Sequence, residues 1–123
     1  MTLNKNDLAE VRSKIKEAID KVVSKMTAWN VNELDDMLVE LIGLTEPLIM
    51  HKEDQAYKLN KYQELKMTEC KPVNATEVLV RANPLFNEIL QAGAQLGIAD
   101  KLIRTMQNRQ YSMALKIKKG IDE

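Results

Sequence analysis

Residues 32–65 read NELDDMLVELIGLTEPLIMHKEDQAYKLNKYQEL, and the reading of Pro47 inside this stretch decides the fold. Leu34, Leu38, Leu41, Leu48, Ala56 and Leu59 stay in phase at about 100° per residue, flanked by Met37, Ile42 and Ile49. A proline inside a helix removes one backbone hydrogen bond and presses its ring on the preceding turn. Either one long helix kinks at Pro47, or a new helix starts there with Thr45 as its cap and Pro47 in its first turn. The unbroken phase favours a single kinked helix, capped at Asn32 and ending near TECKP (68–72), where Pro72 disfavours helical geometry at Lys71. About 35 residues of helix span about 50 Å. One 123-residue chain can hardly cover that length, which points to a second subunit, most simply a two-fold dimer.

Upstream, Leu8, Val11, Ile15, Ala18, Ile19, Val22, Val23 and Met26 recur at three- and four-residue steps, the face of a first helix over about 5–27. Asn4 or Asn6 can cap it, and Ser13, Lys16, Glu17, Asp20 and Ser24 form its polar side. Downstream, NATE (74–77) has the form of a capping box ahead of Val78, Leu79, Ala82, Leu85, Phe86, Ile89 and Leu90. Asn83-Pro84 is a second cap-plus-first-turn pair, and Gly93 and Gly97 mark a stop. A last helix is expected from Ile98 or Asp100 to Lys119, with Gly120 ending it. The expected fold is all-α, a single domain over 1–123 built as a bundle of four to six helices.

Composition agrees. The chain is 45% apolar and 29% charged but only 4% aromatic, so Leu, Ile, Val, Met and Ala build the core. Seven methionines suit uneven helix–helix gaps, and four glycines and three prolines leave little material for the turns of an all-β fold. Cys70, the only cysteine, excludes an internal disulfide. The N-terminal MTLNKNDLAEVRSK is charged throughout and lacks an apolar signal core. The apolar-rich MLVELIGLTEPLIM (37–50) is too short and too acidic to span a bilayer. A soluble, cytoplasmic protein without a membrane role is expected.

The net charge is zero, yet its sign is divided along the chain. Residues 33–54 hold seven acids against Lys52; residues 101–119 hold six basic residues and no acid. These segments can attract each other within one chain, pair between copies, or meet different partners. In the basic stretch RTMQNRQYSMALKIKK (104–119), Leu102, Met106, Met113 and Ile117 share the core face of a helix. Near the opposite side fall Arg104, Gln107, Asn108, Tyr111, Leu115 and Lys118. Cations, amides and a stacking ring suit a protein partner or single-stranded nucleic acid. The bland alternative is a basic C-terminal turn favoured by the helix dipole. Neutral overall charge ranks protein ahead of nucleic acid. On the acidic helix, Glu33, Asp36 and Glu40 are the candidate partner-binding residues. Arg109 falls near the apolar stripe, so it must snorkel or pair with an acid.

No catalytic motif stands out. His51 shares its helical face with Pro47 and Gln55, neither a strong ligand, and is read as a surface or packing residue. Glu17/Asp20 and Glu33/Asp36 have the i, i+3 spacing of helical magnesium sites, as in all-α nucleotide pyrophosphatases. Both pairs, however, lie opposite the apolar stripes of their own helices. Cys70 beside Lys71 has no nearby histidine or second thiol. No catalytic residue, metal or cofactor is therefore expected.

Residues 56–120, AYKLNKYQELKMTECKPVNATEVLVRANPLFNEILQAGAQLGIADKLIRTMQNRQYSMALKIKKG, resemble a style of small helical protein encoded by bacteriophages. The resemblance is one of texture over about half the chain, and it carries no site residue with it. It implies an accessory protein from among replication, recombination or counter-defence genes. The resulting expectation is a non-enzymatic protein that binds a protein of nucleic-acid metabolism or host defence. The alternatives are single-stranded nucleic-acid binding through the basic helix and a magnesium-dependent nucleotide pyrophosphatase.

Overall fold

The structure, a computed structural model, describes residues 3–69 and 73–118. Four α-helices and one 3-10 turn make up these residues, with no strand among them: α1 (Lys5–Lys25), the 3-10 turn Met26–Ala28, α2 (Val31–Thr68), α3 (Val73–Ala82) and α4 (Pro84–Lys118). The fold is all-α, at the lower end of the expected helix count.

Asn4 caps α1 by accepting from the Asp7 amide at 2.8 Å. The first helix buries Ile15, Ala18 and Val22, as its spacing predicts, but Val23 points to solvent. At α2 the cap is Asn30 and not Asn32. The Asn30 side chain accepts from the Glu33 amide at 2.9 Å, and the Glu33 carboxylate accepts from the Asn30 amide at 3.2 Å. This reciprocal pair satisfies two end-of-helix donors; three residues after Asn32 stands only the shorter Asp35, where the box takes Glu or Gln.

Through Pro47 α2 runs unbroken for 38 residues, about 57 Å at 1.5 Å per residue. Pro47 leaves the Gly43 carbonyl without its usual donor. Leu41, Thr45 and Leu48 are buried around it, and Thr45 Oγ1 bonds back to the Ile42 carbonyl at 2.9 Å. Packing on both sides of the proline therefore holds the helix together.

Helix α3 starts at Val73, so Asn74 lies inside its first turn and NATE is not a capping box. Asn83 does what was expected of it. Its amide bonds back to the Leu79 and Val80 carbonyls, and its side chain accepts from the Leu85 amide at 3.0 Å, closing α3 and opening α4. Pro84 occupies the first position of α4, where its missing N–H costs nothing. Gly93 and Gly97 end nothing: α4 continues for 35 residues through both, so the last helix begins at Pro84 and not near Ile98. Each glycine costs about 1 kcal/mol in a helix. Ala92 and Ala99, both buried against the core, outweigh that.

The packing follows from contacts far apart in sequence. Val31 of α2 lies against Gln110 of α4, Lys52 against Gly93, and Gln55 against Glu88, so α2 and α4 form a long antiparallel hairpin. Helix α4 covers α2 from Val31 to about Leu59, so most of α2's length is covered within the chain. On one side α1 lies over the hairpin, from the His51 level to the α4 C-terminal half. Arg12 is clasped there: its guanidinium donates to the Gln91 and Gln95 side-chain oxygens, and Gln95 donates back to the Arg12 carbonyl at 2.8 Å. Helix α3 packs on α2 and α4. Ala18, Val22, Leu34, Met37, Leu38, Leu41, Ala99 and Met106 form the larger core cluster, and Ile15, Leu48 and Ala92 the smaller.

Candidate partner-binding surfaces

The C-terminal half of α4 has the two faces its sequence predicts. Met106 is fully buried, with Leu102 and Met113 packed against the core beside it. Arg104, Gln107, Asn108 and Tyr111 are exposed on the other side, Tyr111 at 68%. Leu115 is half-buried and leaves this row. The side chains of Ile117 and Lys118 lie outside the described residues, as do Lys119 and Gly120. Arg104 pairs with Asp100 at 3.2 Å across one helical turn, but both are exposed, so the pair contributes under about 0.5 kcal/mol and leaves the guanidinium available.

Arg109 resolves differently from expectation. Among the described residues it pairs with no acid; its Nη2 donates to the Thr27 carbonyl at 2.8 Å, in the middle of the 3-10 turn. Next to it, Gln110 donates to the Val31 carbonyl at 3.3 Å. Two side chains of α4 thus hold the α1–α2 connection. Sequence spacing put Arg109 near the core but could not supply the open carbonyls, which belong to a turn 82 residues away.

Glu33, Asp36 and Glu40 come together as expected, on the α1 side of α2. With Lys21, Trp29 and Met37 they line a notch of about 190 Å³. Glu33 also serves as half of the capping box, so its carboxylate is engaged locally. Beyond the notch, Lys14, Glu17, Lys21, Glu40 and Leu44 line the continuing α1–α2 groove. Acids and lysines interleave along it. Among the described residues no three His, Cys, Asp or Glu side chains gather as a metal ion requires. His51 is buried, with its Nδ1 accepting from the Leu3 amide just ahead of α1, and Cys70 lies outside the described residues.

A third surface went unread in the sequence. Val39, Ile42 and Ile49 of α2 are 67%, 47% and 42% exposed. Ile42 and Ile49 were expected to flank the core stripe. They sit about 60–80° off its centre, and among the described residues no element covers them. Their angular offset was the available signal.

No family model, curated protein sequence or solved structure matches this chain. Among the described residues no helix is long and apolar enough to cross a membrane.

Proposed function

We propose that this chain is a non-enzymatic, cytoplasmic binding protein that engages another protein through the outward face of α4. The observation that carries this reading is the row Arg104, Gln107, Asn108 and Tyr111, exposed while the same helix satisfies the core through Met106. A solvated face has no use for an open tyrosine ring among amides and a cation. Tyrosine and arginine are the side chains most often found at the energetic centre of protein interfaces. The texture of residues 56–120 supports an accessory role of the kind bacteriophages encode, beside nucleic-acid metabolism or host defence. The notch at Trp29, with Glu33, Asp36 and Glu40, offers a second, acidic surface for such a partner.

Single-stranded nucleic acid is the competing occupant of the α4 face. Capture with the immobilised protein, with and without nuclease, separates the two. Protein retention that survives nuclease and is lost in the Arg104→Glu, Tyr111→Ala double variant supports the reading. Retention that vanishes with nuclease, or that the variant does not change, contradicts it.

A further inference from the structure

We propose that the outward ridge of α2 docks a basic amphipathic helix of another protein. This surface is separate from the α4 face and does not rest on it. Asp35, Val39, Ile42, Glu46, Ile49 and Glu53 follow one another at alternating steps of four and three residues. At about 100° per residue they fall within a strip about 80° wide and about 27 Å long. All six are exposed. Glu40 and Leu44, which line the groove with α1, lie about 140° and 180° round the helix from the middle of the strip. The row therefore runs along the side of α2 turned away from α1, and among the described residues no element covers it.

Spacing and charge together define the occupant. Alternating steps of three and four residues keep one edge of a helix facing a partner helix along its length. Val39, Ile42 and Ile49 supply the apolar part of that edge, with the exposed Met50 beside them. The charged part has one sign. Asp35, Glu46 and Glu53 form no ion pair among the described residues. Lys52 is the only basic residue of α2 ahead of Lys58; it lies about 100° from Glu53 and lays its ammonium over Gly93 of α4. Two copies joined ridge to ridge would set each acid on itself when parallel, or Asp35 on Glu53 and Glu46 on Ile42 when antiparallel. Nucleic acid and anionic lipid carry the same sign as the row. An acid within an apolar seam is costly unless a cation meets it, so Glu46 and Glu53 select a basic partner and reject an acidic one. The partner that fits is a helix with aliphatic residues at the same steps and Lys or Arg seven residues apart, matching the spacing of about 10 Å between the two glutamates. Such a contact buries on the order of 500 Å² per partner, at the small end of interfaces, so it is transient and weakens with salt.

Titration of the full chain with synthetic helical peptides of three heptads tests this. One peptide carries a leucine face edged by lysines, the second has glutamates for the lysines, and the third keeps the lysines with alanines for the leucines. The expected result is binding of the first peptide alone, at about 10 µM in low salt. Glu46→Lys with Glu53→Lys should weaken it about tenfold and bring in the glutamate peptide instead, a gain that also shows the variant is folded. Ile42→Ser with Ile49→Ser should weaken the lysine peptide by a similar factor. No binding of the first peptide, equal binding of the first and third, or a charge reversal that does not exchange one peptide for the other overturns the inference. Sedimentation showing a dimer that Ile42→Ser with Ile49→Ser dissolves would give the ridge to a second copy and overturn it as well.

Discussion

The backbone amide of Leu3 donates to Nδ1 of His51 at 3.0 Å, tying the start of the described chain to the middle of α2. An accepting Nδ1 assigns the neutral ring's proton to Nε2, which is buried with no partner among the described residues. Burial pushes the His51 pKa below its usual 6.5, against the opposing pull of Glu88 on α4 and Asp54 on α2. Lys58 adds to the depression.

The sign of the pH dependence follows. The unfolded chain takes up this proton before the folded one does, so stability is full above about pH 6.5 and declines as pH falls toward the folded value. Protonating Nδ1 also removes the acceptor for Leu3. The melting temperature should fall between about pH 7.5 and 5.5. His51→Asn, which keeps an acceptor near Nδ1 and cannot titrate, should flatten that slope. Equal slopes in the two proteins would dissociate His51 from the effect.

Two arginines five residues apart should behave differently. Arg109→Ala loses the bond to the Thr27 carbonyl and the packing of its stem, a cost of about 1–2 kcal/mol. Arg104→Ala loses an exposed pair with Asp100 and should stay within about 0.5 kcal/mol of wild type. Urea unfolding measures both; a larger loss at Arg104 would reverse the assignment.

At the start of α2, Asn30→Ala breaks the capping box with Glu33 and should cost about 1 kcal/mol. Asn32→Ala, already inside the helix, should be neutral or slightly stabilising. Chemical denaturation of the two variants side by side decides which asparagine is the cap.

Gly43 is exposed, and a methyl group built there meets nothing within 4 Å. Gly43→Ala should therefore raise stability by about 0.5–1 kcal/mol through helix propensity alone. An unchanged or lower melting temperature would mean that the turn ahead of Pro47 depends on glycine.

What the sequence disclosed and what it did not divide along physical lines. Periodicity gave the all-α class, the α2 core line from Leu34 to Leu59, and the inward Met106, because burial and phase are properties of one helix. It misjudged Gly93 and Gly97, because the flanking Ala92 and Ala99 outweigh two weak helix formers only once α2 lies against them. Asn30 was passed over for Asn32, two residues further on, though the Glu that completes the box stands three residues after Asn30 and only the shorter Asp35 three after Asn32. The α4 face was legible from the wheel, whereas the Thr27 carbonyl that holds Arg109 and the closeness of Trp29 to Glu33 and Asp36 depend on which helices meet. The uncovered Ile42 and Ile49 likewise needed the position of α1, which no local pattern encodes.

The central claim is that the outward face of α4 meets protein, and a photo-crosslinking side chain at Gln107 reads it most directly. Irradiating the protein in cells, followed by nuclease and mass measurement, should give a covalent product heavier than the 14.0 kDa chain by the mass of a bound protein. No protein product, or one that nuclease destroys, would contradict the claim.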